Sequence, residues 1–286
     1  MAVNGEMAKP PTLVRTSAFD GDPAVHVDVF VGTARAAAGP VGAMICGLDR
    51  GIYGEVHVHV LDDLDGLSPR AQAFLRRSGD RHPVDTDRLS TDYLRVQDRS
   101  GRLITAPVEL IVRREGFAQR FGGLRYWVRH AVRWDGEPYE TARRWDFVLE
   151  DWIRWEPGGW SFGWAGEHVS SPVRYLVHTD GRFGVTLGGS FLEVSPSIYH
   201  LIESHALMDE TAAWEPVTGS ALEPWTASCV DGRLLEQFGD LRLLPEASGP
   251  CERWLRSDAV TVRQIRRWTE DHPRPASVQV WTRSTH

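Results

Sequence analysis

Val173-Arg174-Tyr175-Leu176-Val177-His178-Thr179-Asp180-Gly181-Arg182-Phe183-Gly184-Val185-Thr186-Leu187 decides the fold. Two short runs rich in β-branched and aromatic residues flank Asp180-Gly181. A two-residue hairpin turn needs positive φ at its centre, which glycine accepts. The stretch therefore predicts two antiparallel strands, Val173 to His178 and Phe183 to Leu187. Just downstream, Ser195-Pro196 marks a helix start, since a serine hydroxyl caps free N–H groups and proline suits the first turn. Ile198, Leu201, Ile202, His205 and Met208 follow at i, i+3, i+4, i+7 and i+10. That is one face of an amphipathic helix packed on the sheet.

Working upstream, Trp160 to Trp164, Trp145 to Leu149 and Leu124 to Trp134 read as further strands. Pro157-Gly158-Gly159 and Asp135-Gly136 supply turns. Residues 107–121 predict a helix capped by Thr105, with Val108, Ile111, Val112, Phe117, Ala118 and Phe121 as its buried stripe. Gly116 weakens that helix by about 1 kcal/mol relative to alanine. Gly122-Gly123 end it, because glycine accepts the left-handed backbone of a helix stop. Residues 80–106 are turn-rich, with one short strand near Tyr93-Leu94-Arg95-Val96. Leu67-Ser68-Pro69-Arg70 opens another helix, running to about Arg77 with Gly79 just past its end.

The two ends differ from this middle. Val25 to Val31 and Glu55 to Val60 alternate with period two, and Ala43 to Cys46 is a shorter run. Together they predict a small antiparallel sheet over residues 20–62. After Glu215 the pattern loosens to short strands near Leu241 to Leu244 and Ser277 to Trp281. A helix is expected from Val262 to Glu270, closed by Pro273 and Pro275. The whole reads as α+β: a twisted antiparallel sheet with helices packed on one side over 66–215, a small β-rich N-terminal unit over 1–65, and a mixed C-terminal extension over 216–286.

Composition bounds the function. The chain has 286 residues, 42% of them apolar and 25% charged. That is enough to bury a core without disulfides or metals. No run approaches the roughly 18 apolar residues of a membrane-spanning helix. Met1 to Thr16 lacks a basic start followed by an apolar core, so no export signal is expected and a cytoplasmic location is. The net charge is −7, and residues 1–65 hold nine acids against four bases. There is no basic stripe, which argues against nucleic-acid binding. Lys9 is the only lysine, which weakens lysine-based nucleophiles and phosphate loops. Cys46, Cys229 and Cys251 show no C-x-x-C spacing, as expected of free thiols in a reducing compartment.

No nucleophile elbow, phosphate-binding glycine loop, dinucleotide fingerprint or H-E-x-x-H is present. His57-x-His59 places two imidazoles on one face of a strand, about 6–7 Å apart, a spacing that metal sites use. His26, with Asp28 nearby, would be a third ligand. The other explanation is a polar outer strand face. Glu150-Asp151 is no acid–base dyad, because adjacent strand residues point apart. Trp145, Trp152, Trp155, Trp160 and Trp164 fall within 20 residues. Trp145 and Trp160 suit the core. Trp152 and Trp155, flanking Arg154, suit either the core or a partner surface.

Helix, Gly-Gly turn, Trp-bearing sheet, Asp-Gly-Arg hairpin and closing helix form an order that resembles the SUKH superfamily of bacterial immunity proteins. The match lies in Phe117-Ala118-Gln119-Arg120-Phe121-Gly122-Gly123-Leu124, in Thr179-Asp180-Gly181-Arg182-Phe183-Gly184, and in Gly189-Ser190-Phe191 with the Ile198 to Leu207 helix. The resemblance covers about 100 of the 286 residues. It implies a cytoplasmic, non-enzymatic binding module without a cofactor. Such proteins neutralise a cognate toxin, often a nuclease or deaminase, by direct contact. Toxin nucleases tend to be basic, so an acidic inhibitor gains on-rate. On this footing Trp152, Arg154, Trp155 and Glu156 are the expected partner contacts, joined by Glu167 and His168 in the next loop. The alternatives are a metal-dependent small-molecule enzyme using His57, His59 and His26, or a scaffold or regulatory interaction module.

Overall fold

Ser68 and Pro69 open α1 (Pro69–Ser78) as their chemistry dictates: the Ser68 hydroxyl accepts from the Ala71 N–H and the helix stops at Gly79. A computed structural model describes residues 58–84, 94–134, 137–168, 173–186, 189–230, 233–266 and 277–283. The expected strands at Val25 to Val31 and Ala43 to Cys46, the Asp135-Gly136 turn and Pro273 and Pro275 lie outside the described residues. Of the expected strand at Glu55 to Val60, only residues 58–60 are described, and they carry no strand.

After α1 come β1 (Asp80–Arg81), the hairpin β2 (Arg95–Gln97) and β3 (Leu103–Thr105), α2 (Val108–Phe121), β4 (Leu124–Trp134) and β5 (Glu137–Glu156). Next are β6 (Gly159–Glu167), β7 (Arg174–His178), β8 (Phe183–Thr186), β9 (Leu192–Ser195) and α3 (Ile198–Thr211). The main sheet runs β1-β4-β5-β6-β7-β8-β9, antiparallel at every pairing. Its hairpins are local. Gly181 turns β7 into β8 at φ +100°, with its N–H donating to the His178 carbonyl.

One face of this sheet carries Tyr126, Phe147, Phe162, Trp164 and Phe183, all with side chains fully buried. The helices pack on that face: Phe117 of α2 lies against Phe147, Phe162 and Trp164, and His205 of α3 against Trp145. Trp145 and Trp160 are core residues as expected. The fold is the predicted α+β arrangement, with helices on one side of an antiparallel sheet.

Four local expectations are corrected. α2 has Pro107 rather than Thr105 at its N-cap, and no side chain caps it. Its buried residues are Leu110, Arg114, Phe117 and Phe121, while Val108 and Val112 stand 72% and 62% exposed. The cause lies in β5. The β5–β6 register shifts between Leu149 and Ile153, and the carbonyl of Glu150 in that irregular stretch accepts from Arg114 Nη2 at 2.9 Å. With Leu110, Arg114, Phe117 and Phe121 turned inward, the two valines are left outside. α3 is capped by Ser197, not Ser195, because Ser195 is still paired in β9. The α3 face is also broader than the sequence pattern implies, with Glu203, Ser204, Leu207 and Asp209 buried as well.

Packing on further sides is the reason: Glu203 and Asp209 are held by arginines of α1 and β4, and Ser204 by a second sheet. β10 (Glu215–Pro216), α4 (Glu223–Val230), α5 (Leu234–Gln237), β11 (Arg242–Leu243), β12 (Glu252–Arg256), β13 (Val260–Ile265) and β14 (Ser277–Thr282) complete the chain order. The strands form a sheet ordered β10-β14-β13-β12-β11. The helix expected from Val262 is therefore a strand at 260–265, held by β12 on one side and β14 on the other. Trp254 and Trp281 of this sheet join the same hydrophobic cluster as the main sheet, so α3 is covered on two sides.

Candidate functional site

Strand alternation sends one residue of each pair to the helix side and its neighbour to the other face. In β4, Leu124, Tyr126 and Val128 point inward, so Arg125 and Trp127 belong to the outer face, while the Arg129 guanidinium pairs with Asp209 of α3 at 2.8 Å. In β5, Trp145 and Phe147 point inward, leaving Arg144, Asp146 and Val148 outside. Trp127 stands opposite Arg144 in the β4–β5 register, and Arg125 opposite Asp146. Trp127 is 51% exposed and Val148 40% exposed. Arg125 and Arg144 both bind the Asp146 carboxylate, the latter through Nε at 2.9 Å. Two guanidiniums thus share one carboxylate, and Asp80 of β1 stands across from Arg125 as a second acid.

The far end of the same face is closed. Phe191 folds back over Gly184, where an added Cβ would meet its ring at 2.5 Å, and its ring lies 5.4 Å from that of His178. Ser161, Leu176, His178 and Thr186 are buried beneath this loop. The His178 Nδ1 atom lies 2.9 Å from Asp180 Oδ1 and 3.3 Å from the Asp180 N–H. Burial favours the neutral Asp180 acid, but hydrogen bonds from Arg182 and His178 outweigh it and hold the carboxyl below its ordinary range.

The residues expected to meet a partner fall into three places. Trp152 is half-buried on the outer face, its Cβ close over Gly163. Arg154 is exposed on the same face, and its Nη1 donates to the Gly189 carbonyl at 2.6 Å. Glu156 shares that face but is buried: it accepts from the Phe191 N–H at 3.2 Å and lies 3.5 Å from the Ser161 hydroxyl. It anchors the loop. Trp155 lies on the opposite face, packed against the core with the Arg99 guanidinium 5.3 Å over its ring. Glu167 sits at the end of β6, paired to Arg143 at 2.8 Å and accepting from the Tyr175 hydroxyl at 3.3 Å. Burial, reinforced by Glu167, raises the Tyr175 pKa well above its ordinary value. His168 is exposed, with its backbone N–H on the Arg144 carbonyl.

Of the proposed metal ligands, His26 and His57 lie outside the described residues. His59 lies in an irregular segment. Its ring is buried, its Nδ1 accepts from the Leu61 N–H at 3.2 Å, and burial followed by the nearby Arg81 lowers its pKa. Among the described residues no three His, Cys, Asp or Glu side chains are grouped to hold a metal. No described helix is long and apolar enough to cross a membrane.

The sequence reading missed Trp127, Val148, Arg125 and Arg144. The signal was present in Leu124-Arg125-Tyr126-Trp127-Val128: once Tyr126 is assigned to the core, alternation puts Trp127 outside between arginines. Comparison with protein-family models, curated proteins and solved structures finds no match for this chain.

Proposed function

We propose that this protein works by contact: a cytoplasmic immunity module that binds a cognate protein toxin through the open end of its main sheet. The observation that carries this reading is Trp127, half exposed on the outer β-face between Arg125 and Arg144, with exposed Val148 four residues further along β5 from Arg144. Tryptophan and arginine dominate the energetics of protein interfaces, and a rigid sheet loses little entropy on binding. Trp152 and Arg154 extend the same face toward the Phe191 loop. The Arg125 and Arg144 guanidiniums beside Trp127 suit a carboxylate on the toxin's contact patch, whatever the toxin's overall charge.

The test is capture of partner from host lysate and secreted fraction by the purified chain, followed by titration of the recovered protein. A single stoichiometric toxin-domain protein is expected. Trp127→Ala should weaken its binding by about thirtyfold, the equivalent of roughly 2 kcal/mol at an interface hot spot. The melting temperature should stay unchanged, because Trp127 supports no core. A change under about twofold for Trp127→Ala and Arg144→Ala together removes this face from the interface.

A further inference from the structure

The helical side of the molecule holds a cavity of about 770 Å³ between α2, the β7–β8 turn and the start of α3. That is within the range of small-molecule sites, about 300–1,000 Å³. Phe117, Phe121, Val177 and Ile198 contribute its apolar lining, with Tyr199 edge-on to Phe121 at 5.4 Å. Two arginines also line it, and they differ. Arg120 is fully engaged: Nε donates to the Tyr199 hydroxyl at 2.7 Å, Nη1 to the Val58 carbonyl at 2.8 Å, and Asp63 lies 3.7 Å away. Arg113 makes one hydrogen bond, from Nε to the Thr179 carbonyl at 2.9 Å. Its two terminal nitrogens have no partner among the described residues.

That single bond fixes the Arg113 head against Gly181, where an added Cβ would lie 3.4 Å from Nη1. The guanidinium is thus oriented in advance with its outer N–H groups free, at the edge of an apolar lining. Glu109 also lines the cavity one helical turn earlier, but it is exposed and forms no ion pair with Arg113. A planar fork of donors matches a carboxylate, two N–H groups to two oxygens. Among the described residues that line the cavity, Arg113 is the one cation without an ion pair; it balances one negative charge, and a phosphate dianion would need a second. We infer that this cavity binds a small amphipathic monocarboxylate, with its carboxylate on Arg113 and its apolar body over Phe117, Phe121 and Val177.

The experiment titrates the full-length chain with decanoate and with decan-1-ol by calorimetry, and follows the amide signals of Gly116 and Gly181 by NMR. Decanoate is expected to bind one-to-one, at least tenfold tighter than the alcohol, with both glycine signals shifting. Arg113→Gln should erase the preference for the acid. Gly116 lines the cavity, and a Cβ there meets nothing within 4 Å. Gly116→Leu should therefore fill the space, weaken both ligands at least tenfold and raise the melting temperature. Equal binding of acid and alcohol, unaltered decanoate affinity in Arg113→Gln, or shifts that spare Gly116 and Gly181 would each overturn the assignment. The sheet-face reading survives any of these outcomes, because Trp127 lies on the other face.

Discussion

Glu203 shows how a single buried carboxylate organises its neighbours. It accepts from the Ser68 N–H at 2.6 Å, the Ser68 hydroxyl at 2.7 Å and Arg70 Nη2 at 3.1 Å, and its side chain is buried. Removing one partner of a buried pair strands the other, at a cost of about 3–5 kcal/mol. Glu203→Ala should therefore lower the unfolding free energy by roughly 3 kcal/mol, and Glu203→Gln by about half that, read from urea midpoints at constant slope. A loss below about 1 kcal/mol for the alanine variant removes Glu203 from this role. His130 and His205 act with the opposite sign to a stabilising ion pair. Burial, then the positive charge of Arg263, pushes His130 down to about 3. His205 is held well below its ordinary value by burial, followed by His130. The unfolded chain binds protons at both rings below about pH 6.5, whereas the native state resists. Stability from these rings is complete above pH 6.5 and is lost as the pH falls toward 3, by at most about 1.4 kcal/mol per pH unit for each ring. His130 Nε2 is buried without a hydrogen bond among the described residues. His130→Phe should thus reduce the slope of stability between pH 6 and pH 5 by up to about 1.4 kcal/mol per pH unit. An unchanged slope shows that His130 is protonated in the native protein.

At the scale of elements, the turn from α2 into β4 is the most constrained connection. Gly123 has φ +79°, and a Cβ there would sit 2.1 Å from the His82 carbonyl oxygen. Strain at such a position costs about 1–3 kcal/mol before the clash is counted. Gly123→Ala should destabilise the protein by about 3 kcal/mol, measured by thermal unfolding, and a loss below 1 kcal/mol contradicts the constraint. This turn, α1, α3 and the β7–β8 hairpin were legible in the sequence because caps, glycines and periodicity act within a few residues. The α2 stripe was not, because the burial of Arg114 depends on a carbonyl 36 residues away. Nor was β13, whose strand identity is imposed by residues 252–256 and 277–282 on its two sides. The contact patch was half legible. Trp152 and Trp155 are three apart on one strand and so face opposite ways, which the alternation rule already states. The burial of Glu156 was hidden, because it depends on Phe191 folding back over Gly184.

At the scale of the molecule, α3 joins two sheets that the sequence pattern treats as separate regions. Glu203 and Asp209 face α1 and β4, through Arg70, Arg77 and Arg129. Ser204 and Glu210 face the second sheet: the Trp254 indole donates to the Ser204 hydroxyl at 3.1 Å, and Arg256 pairs with Glu210 at 2.5 Å. Trp254 is fully buried, stacked on Trp281 at 6.0 Å, and both rings belong to the cluster that holds Tyr126 and Trp164. A helix fixed from both sides cannot keep one sheet once the other is lost, since either loss exposes buried carboxylates and aromatic rings. The described chain should therefore unfold in one transition. Trp254→Ala, at a cost of about 3–5 kcal/mol for a large buried aromatic, should raise hydrogen exchange in β6 and β7 as much as in β12 and β13. Exchange that rises only in the second sheet would show that residues 216–286 unfold on their own, with α3 packed independently against the main sheet.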